Sequence, residues 1–129
     1  MNSPDAKPPA KGRVLIVDDN EGLREVIGIL AQDHGFKPIQ AADGLEGMRV
    51  IENDKDFAVG IIDVKMPRMS GIALLEELRR HHPTLKVVLI TGADVEAAMH
   101  AAHKDANVVV LPKPFTFEAL RRAAPELDA

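Results

Sequence analysis

Residues 58–67 read AVGIIDVKMP, and their pattern decides the fold. Val59, Ile61, Ile62 and Val64 make a β-branched run too short for a helix and too continuously apolar for a half-exposed strand, which predicts a strand buried on both faces. Asp63 stands near its end, with the turn-forming Met66-Pro67 and Ser70-Gly71 just beyond. A carboxylate so placed lies where α/β sheets hold their ligands, in the crevice outside the carboxyl ends of the strands.

Upstream, Val14 to Val17 is a second apolar block, and it too ends in carboxylates, Asp18 and Asp19. Leu23, Val26, Ile27 and Leu30 keep helical i, i+3, i+4, i+7 spacing, and Gly35 is placed to stop the helix. Phe36 to Ala41 predicts a weaker strand, which Pro38, unable to donate to a ladder, assigns to a sheet edge. Asp43 can cap the next helix, whose inner face carries Gly44, Gly47, Met48 and Ile51.

Downstream, Ser70 is positioned to cap a helix with Leu74, Leu75 and Leu78 as its buried stripe, closed by Pro83. Lys86 to Ile90 predicts a fourth strand ending at Thr91-Gly92, and Asp94 is placed to cap an alanine-rich helix running to about Ala106. Val108 to Leu111 is the fifth strand, followed by Lys113-Pro114-Phe115 and a last helix from Phe117 to about Ala124, stopped by Pro125. Five alternations of strand and helix predict one parallel sheet with helices on both faces and right-handed crossovers. Such a sheet gathers Asp18, Asp19, Asp63, Thr91 and Lys113 along one rim.

The 129 residues suit one domain; 46% are hydrophobic, yet four Phe and no Tyr or Trp leave an aliphatic core. Without cysteine there is no disulfide framework and no thiolate metal site, which fits a cytoplasmic setting. A net charge of −4 gives no broad basic field, disfavouring direct nucleic-acid binding. No apolar run is long enough to span a bilayer, and Met1 to Gly12, rich in proline, alanine and lysine, reads as a flexible tail.

Three crowded carboxylates repel one another, and a hard divalent cation with oxygen preference, Mg²⁺ above all, relieves the repulsion while leaving positions for phosphate oxygens. Zinc spacing is absent: His100 and His103 share a helix face without a third ligand, and solvent exposure is the expected state for them. With Mg²⁺ in place a carboxylate can attack a phosphoryl group, Asp63 being the candidate, while a lysine and a hydroxyl hold the equatorial oxygens.

Ile16-Val17-Asp18-Asp19, the segment Ile62 to Pro67 with Ser70-Gly71, then Thr91-Gly92 and Lys113-Pro114-Phe115 together resemble the receiver domains of two-component response regulators. The resemblance implies a flavodoxin-like, doubly wound five-stranded parallel sheet of order 2-1-3-4-5 over residues 13–124, flanked by tails at 1–12 and 125–129. It implies phosphoryl transfer to Asp63 from a sensor histidine kinase or histidine phosphotransfer protein. Asp19, Asp63 and the Lys65 carbonyl would ligate Mg²⁺ directly and Asp18 through water, while Thr91 and Lys113 would contact the phosphoryl oxygens. A cis Lys113-Pro114 bond and signalling through the face of helix 4, strand 5 and helix 5 are implied too. The domain would be a switch that assists its own phosphorylation and dephosphorylation without being an enzyme in the ordinary sense.

Two positions depart from that pattern. Val110 stands where receivers usually carry Tyr or Phe, and Ala106-Asn107-Val108 replaces an acidic pair common before it. Other readings are a protein-binding receiver that is never phosphorylated and an Mg²⁺-dependent phosphatase of the haloacid-dehalogenase type. The latter wants an acid two residues after its aspartate, where this chain has Lys65. A flavin domain ranks last, because Asp18 and Asp19 would repel phosphate where a cradle is needed. With the sequence ending soon after the fifth helix, the expected output is a downstream protein target or a domain missing from this chain.

Overall fold

The computed structural model describes residues 12–53, 56–92 and 94–128. In chain order the elements are β1 (Arg13–Val17), α1 (Glu21–Asp33), β2 (Lys37–Ala41), α2 (Gly44–Asn53), β3 (Phe57–Asp63), α3 (Gly71–His81), β4 (Lys86–Thr91), α4 (Val95–His103), β5 (Val108–Pro112) and α5 (Phe117–Ala123). The strands form one parallel sheet in the order β2-β1-β3-β4-β5, so the strand carrying Asp63 is the central one. β2 lies at the edge, which is where Pro38 can sit without costing the sheet a hydrogen bond.

Alternation along the inner strands feeds two cores. Leu15, Val17, Ile62, Val87 and Leu89 face α2, α3 and α4, while Val14, Ile16, Ile61, Val88 and Ile90 face α1 and α5. Near-continuous burial of β1, β3 and β4 follows from helices covering both faces. Gly35, at φ 90°, ends α1: its N–H donates to the Gln32 carbonyl at 3.0 Å, and that of Phe36 to the Ala31 carbonyl at 2.9 Å. That paired return requires a left-handed residue, which glycine supplies without steric cost.

Caps set the other helices. Asn20 accepts from the Leu23 N–H, Ser70 from that of Ala73 and Thr116 from that of Ala119. Asp43 accepts from the Glu46 N–H at 2.9 Å, and Glu46 reciprocates on the Ala42 N–H at 2.6 Å. Gly71 matters differently, because a β-carbon there would fall on the carbonyl oxygen of Asp63. Its N–H also donates to the Val64 carbonyl at 2.8 Å, seating α3 directly on the end of the central strand.

Three expectations are corrected. Asp94 makes no side-chain capping bond, and α4 stops at His103 rather than near Ala106. The early stop has a cause: Asp105 leaves the helix to pair with Arg79, accepting from Nε at 2.6 Å and Nη2 at 3.3 Å, while Arg79 Nη1 donates to the His82 carbonyl at 2.9 Å. Within the tail expected at 125–129, Pro125–Asp128 forms a 3-10 turn and Leu127, 1% exposed, joins the α1 and α5 core, while Ala129 lies outside the described residues. One apolar residue in a polar segment carries no periodic signal. The proposed tail at 1–12 falls almost wholly outside the described residues. Among the described residues no helix is long and apolar enough to cross a membrane.

Candidate functional site

Four of the five strands, all but β2, deliver parts of the site at their carboxyl ends. Asp18 and Asp19 follow β1, Asp63 closes β3, Thr91 closes β4 and Lys113 follows β5. Carboxylate oxygens of Asp18, Asp19 and Asp63 all lie within 4.8 Å of one another. Lys113 Nζ stands 3.3 Å from Asp18 Oδ2 and 3.3 Å from Asp63 Oδ2, so one cation bridges two carboxylates. Main-chain bonds fix the frame: the Val64 N–H donates to the Ile90 carbonyl at 2.9 Å, and that of Lys113 to the Thr91 carbonyl at 2.8 Å. The Lys113-Pro114 bond is cis.

Burial divides the residues. Asp18, Asp63 and Thr91 are 1%, 4% and 1% exposed, whereas Asp19 is open to solvent. Burial, then the neighbouring Asp18 charge, raises the Asp63 carboxyl above its ordinary range, against the opposing pull of Lys113 and of the Lys65 backbone. For Lys113 burial works against the ammonium charge, but attraction to Asp18 and then Asp63 outweighs it and the pKa is raised. The bridging lysine is therefore held charged.

At this rim two buried oxygens lack a hydrogen-bond partner among the described residues: Asp18 Oδ2, whose contact with Lys113 is an ion pair without hydrogen-bond geometry, and Thr91 Oγ1. Buried polar atoms are rarely left so. An oxygen-only donor set with an orphaned carboxylate oxygen fits a hard divalent cation, and an orphaned hydroxyl on the same rim fits an incoming oxygen acceptor.

The rim thus unites all five residues expected from sequence. Lys65, whose carbonyl was the other expected ligand, follows β3 by two residues. Val110 pairs with Leu89 on β4 and packs partly buried against the core facing α2, α3 and α4. One contact was not foreseen: Arg24 Nη1 donates to the Asp18 carbonyl at 2.6 Å. Its signal was available, since an arginine about one turn into a helix that follows an acidic pair can reach back over the cap.

A doubly wound sheet with an acidic rim closed by a threonine and a lysine defines a CheY-like regulatory domain. The chain belongs to the response regulator receiver domain family, whose match covers residues 14–125. Among curated relatives it is 33% identical over 126 residues to response regulator MprA of Mycobacterium avium, covering 91% of this chain and 54% of the relative. It is 34% identical over 116 residues to sensor kinase CckA of Brucella abortus, covering 88% of this chain and 12% of that protein. The chain therefore spans about half of the one and a small part of the other.

Solved structures agree. The receiver domain protein of Clostridium thermocellum superposes with a TM-score of 0.80 at 30% identity, covering 91% of this chain and 94% of that one. Response regulator TrrA of Thermotoga maritima, solved in complex with Mg²⁺-BeF, gives 0.74 at 26% identity, covering 90% and 98%. Receiver domains are in general non-enzymatic signalling domains that bind Mg²⁺ at an acidic pocket, and Asp18, Asp19 and Asp63 form such a cluster here.

Proposed function

We propose that the chain is a phosphorylation switch that takes a phosphoryl group onto Asp63 from the phosphohistidine of a sensor histidine kinase or histidine phosphotransfer protein. The observation that carries this reading is the lysine bridge: a buried central-strand carboxylate held 3.3 Å from a cation and within 4.8 Å of two further carboxylates. An oxygen of Asp63 forms the new P–O bond as the P–N bond breaks, its electron pair leaving on the imidazole nitrogen. Lys113 is placed to follow the charge from the carboxylates to the phosphoryl oxygens, and the unpartnered Thr91 hydroxyl to donate to one of them.

Asp19, Asp63 and the Lys65 carbonyl are the proposed direct ligands of Mg²⁺, with Asp18 acting through water. Bound there, the ion supplies charge neutralisation of the carboxylates and of the phosphoryl oxygens. Docking of the donor has apolar support beside the site: Leu23, Val26, Phe115 and Phe117 line a hollow of about 640 Å³ that Lys113 also borders. Output is proposed to leave through α4, β5 and α5, where Thr91 movement would be felt first; Val95 and Met99 are exposed on α4. Because Val110 is short, coupling there rests on backbone movement more than on a swinging ring.

The test is intact-mass spectrometry after incubation with a small phosphodonor. One added phosphoryl group is expected, only with Mg²⁺ and never in Asp63→Asn. The same modification in the Asn variant, or turnover of generic phosphate esters, overturns the reading.

A further inference from the structure

We infer that Arg24 is a positioning residue for Asp19, acting through the peptide that joins Asp18 to Asp19. The inference rests on the proposed cation site at the rim. Asp18 has several fixed contacts: its N–H donates to the Ala41 carbonyl at 3.2 Å, its Oδ1 accepts from the Asn20 N–H at 2.9 Å, and its Oδ2 is ion-paired with Lys113 at 3.3 Å. Asp19 is the opposite case. It is exposed, and among the described residues its carboxylate has neither a hydrogen bond nor an ion pair, yet it comes within 4.8 Å of the other two. Only its backbone aims it.

Among the described residues one side chain tethers the carbonyl of that backbone. The peptide between Asp18 and Asp19 is trans, so it is planar, with the Asp18 carbonyl and the Asp19 N–H pointing in opposite directions. Fixing the carbonyl therefore fixes the plane from which the Asp19 side chain departs. The bond that fixes it is the 2.6 Å contact from Arg24 Nη1, a charge-assisted donor. Arg24 is itself well based: its N–H donates to the Asn20 carbonyl at 3.0 Å, and Asn20 caps the same turn by accepting from the Leu23 N–H at 3.0 Å. The guanidinium thus reaches back from a hydrogen-bonded first turn and holds the acidic corner against rotation.

A double-mutant cycle on the whole chain tests this, with Mg²⁺ affinity read by calorimetry and Mn²⁺ affinity by water-proton relaxation. Arg24→Ala is expected to weaken both metals about tenfold, the lower end for an outer-shell partner, and Arg24→Lys about threefold, since it keeps the charge and one donor. In an Asp19→Asn background the Arg24→Ala effect should fall below about twofold, because the charged carboxylate it aims, the stronger ligand, is gone. A purely structural arginine would lower the metal-free urea midpoint without this dependence on Asp19. Unchanged metal affinity in Arg24→Ala, or the full loss persisting in Asp19→Asn, overturns the inference. Should Arg24→Ala not fold, wild-type affinity in Arg24→Lys overturns it as well. A wild-type chain that binds neither metal would instead overturn the cation site on which it rests.

Discussion

Lys113→Met removes the one cation shared by two buried carboxylates. At 3.3 Å each attraction is about 5 kcal/mol gross for an effective dielectric near 20. The net cost is smaller: taking one partner from a buried pair costs about 3–5 kcal/mol, and the 29% exposure of the Lys113 side chain lets water recover part. A loss of about 2–3 kcal/mol is expected in the metal-free protein. Lys113 and the proposed Mg²⁺ would both neutralise the carboxylates of Asp18 and Asp63, so the two cations should compete. With saturating Mg²⁺ the loss should shrink to about 1 kcal/mol, and by linkage the variant should bind Mg²⁺ about five- to thirtyfold more tightly. Because the chain has no Trp or Tyr, urea unfolding is best followed by far-ultraviolet circular dichroism, with and without the metal. An identical loss under both conditions, or weaker Mg²⁺ binding by the variant, would refute this electrostatic account.

Gly71→Ala should lower stability by about 1–3 kcal/mol, since the new methyl meets the Asp63 carbonyl and comes to 3.0 Å from Ile62 Cγ2, outweighing a helix-propensity gain of up to about 1 kcal/mol; an unchanged urea midpoint would contradict it. Arg68 holds φ 73°, a conformation costing a side-chain-bearing residue about 1–2 kcal/mol, while its 3.5 Å pair with Asp43 is solvent-exposed on the arginine side and worth at most about 1 kcal/mol. Arg68→Gly should therefore equal or exceed wild type in stability and Arg68→Ala fall below it, and the reverse order would be decisive against this. Asp105→Asn should cost about 1 kcal/mol at neutral pH. The hydrogen bond from Arg79 holds the Asp105 carboxyl below its ordinary 3.8, so that contribution is present above 3.8 and lost as pH falls through the lower folded value. Urea titrations at neutral and strongly acid pH should show the difference closing, and a pH-independent gap would count against the pairing.

Local pattern carried most of the architecture. The β-branched blocks, the 3.6-residue spacing in α1 and α3 and the placement of Pro38 are each readable from neighbours in the chain, and four strand ends with polar termini were enough to assemble the rim. What escaped was held by distant partners. Arg79 and Asp105 are 26 residues apart, and their bond, rather than any breaker, ends α4 early. Leu127 is buried because the sheet face beside α5 is there to receive it. Asp94 looked like a cap because its residue type fits, but whether a side chain turns back to the helix is decided by the loop that carries it.

Asp63 closes the central strand, with β1 and β4 laddered on either side of it and β5 one strand further out. Those four strands supply all five rim residues, whereas the edge strand β2 and its helix α2 supply none. Opening at the edge can therefore expose β2 amides while the carboxylates stay together, and scattering the carboxylates requires separating the middle of the sheet. In hydrogen-exchange terms, amides at Ile61 and Ile62 should be released only when the whole domain unfolds, whereas those of Ile39 and Gln40 can exchange sooner. The survival time of the acidic cluster is then the survival time of the native state itself.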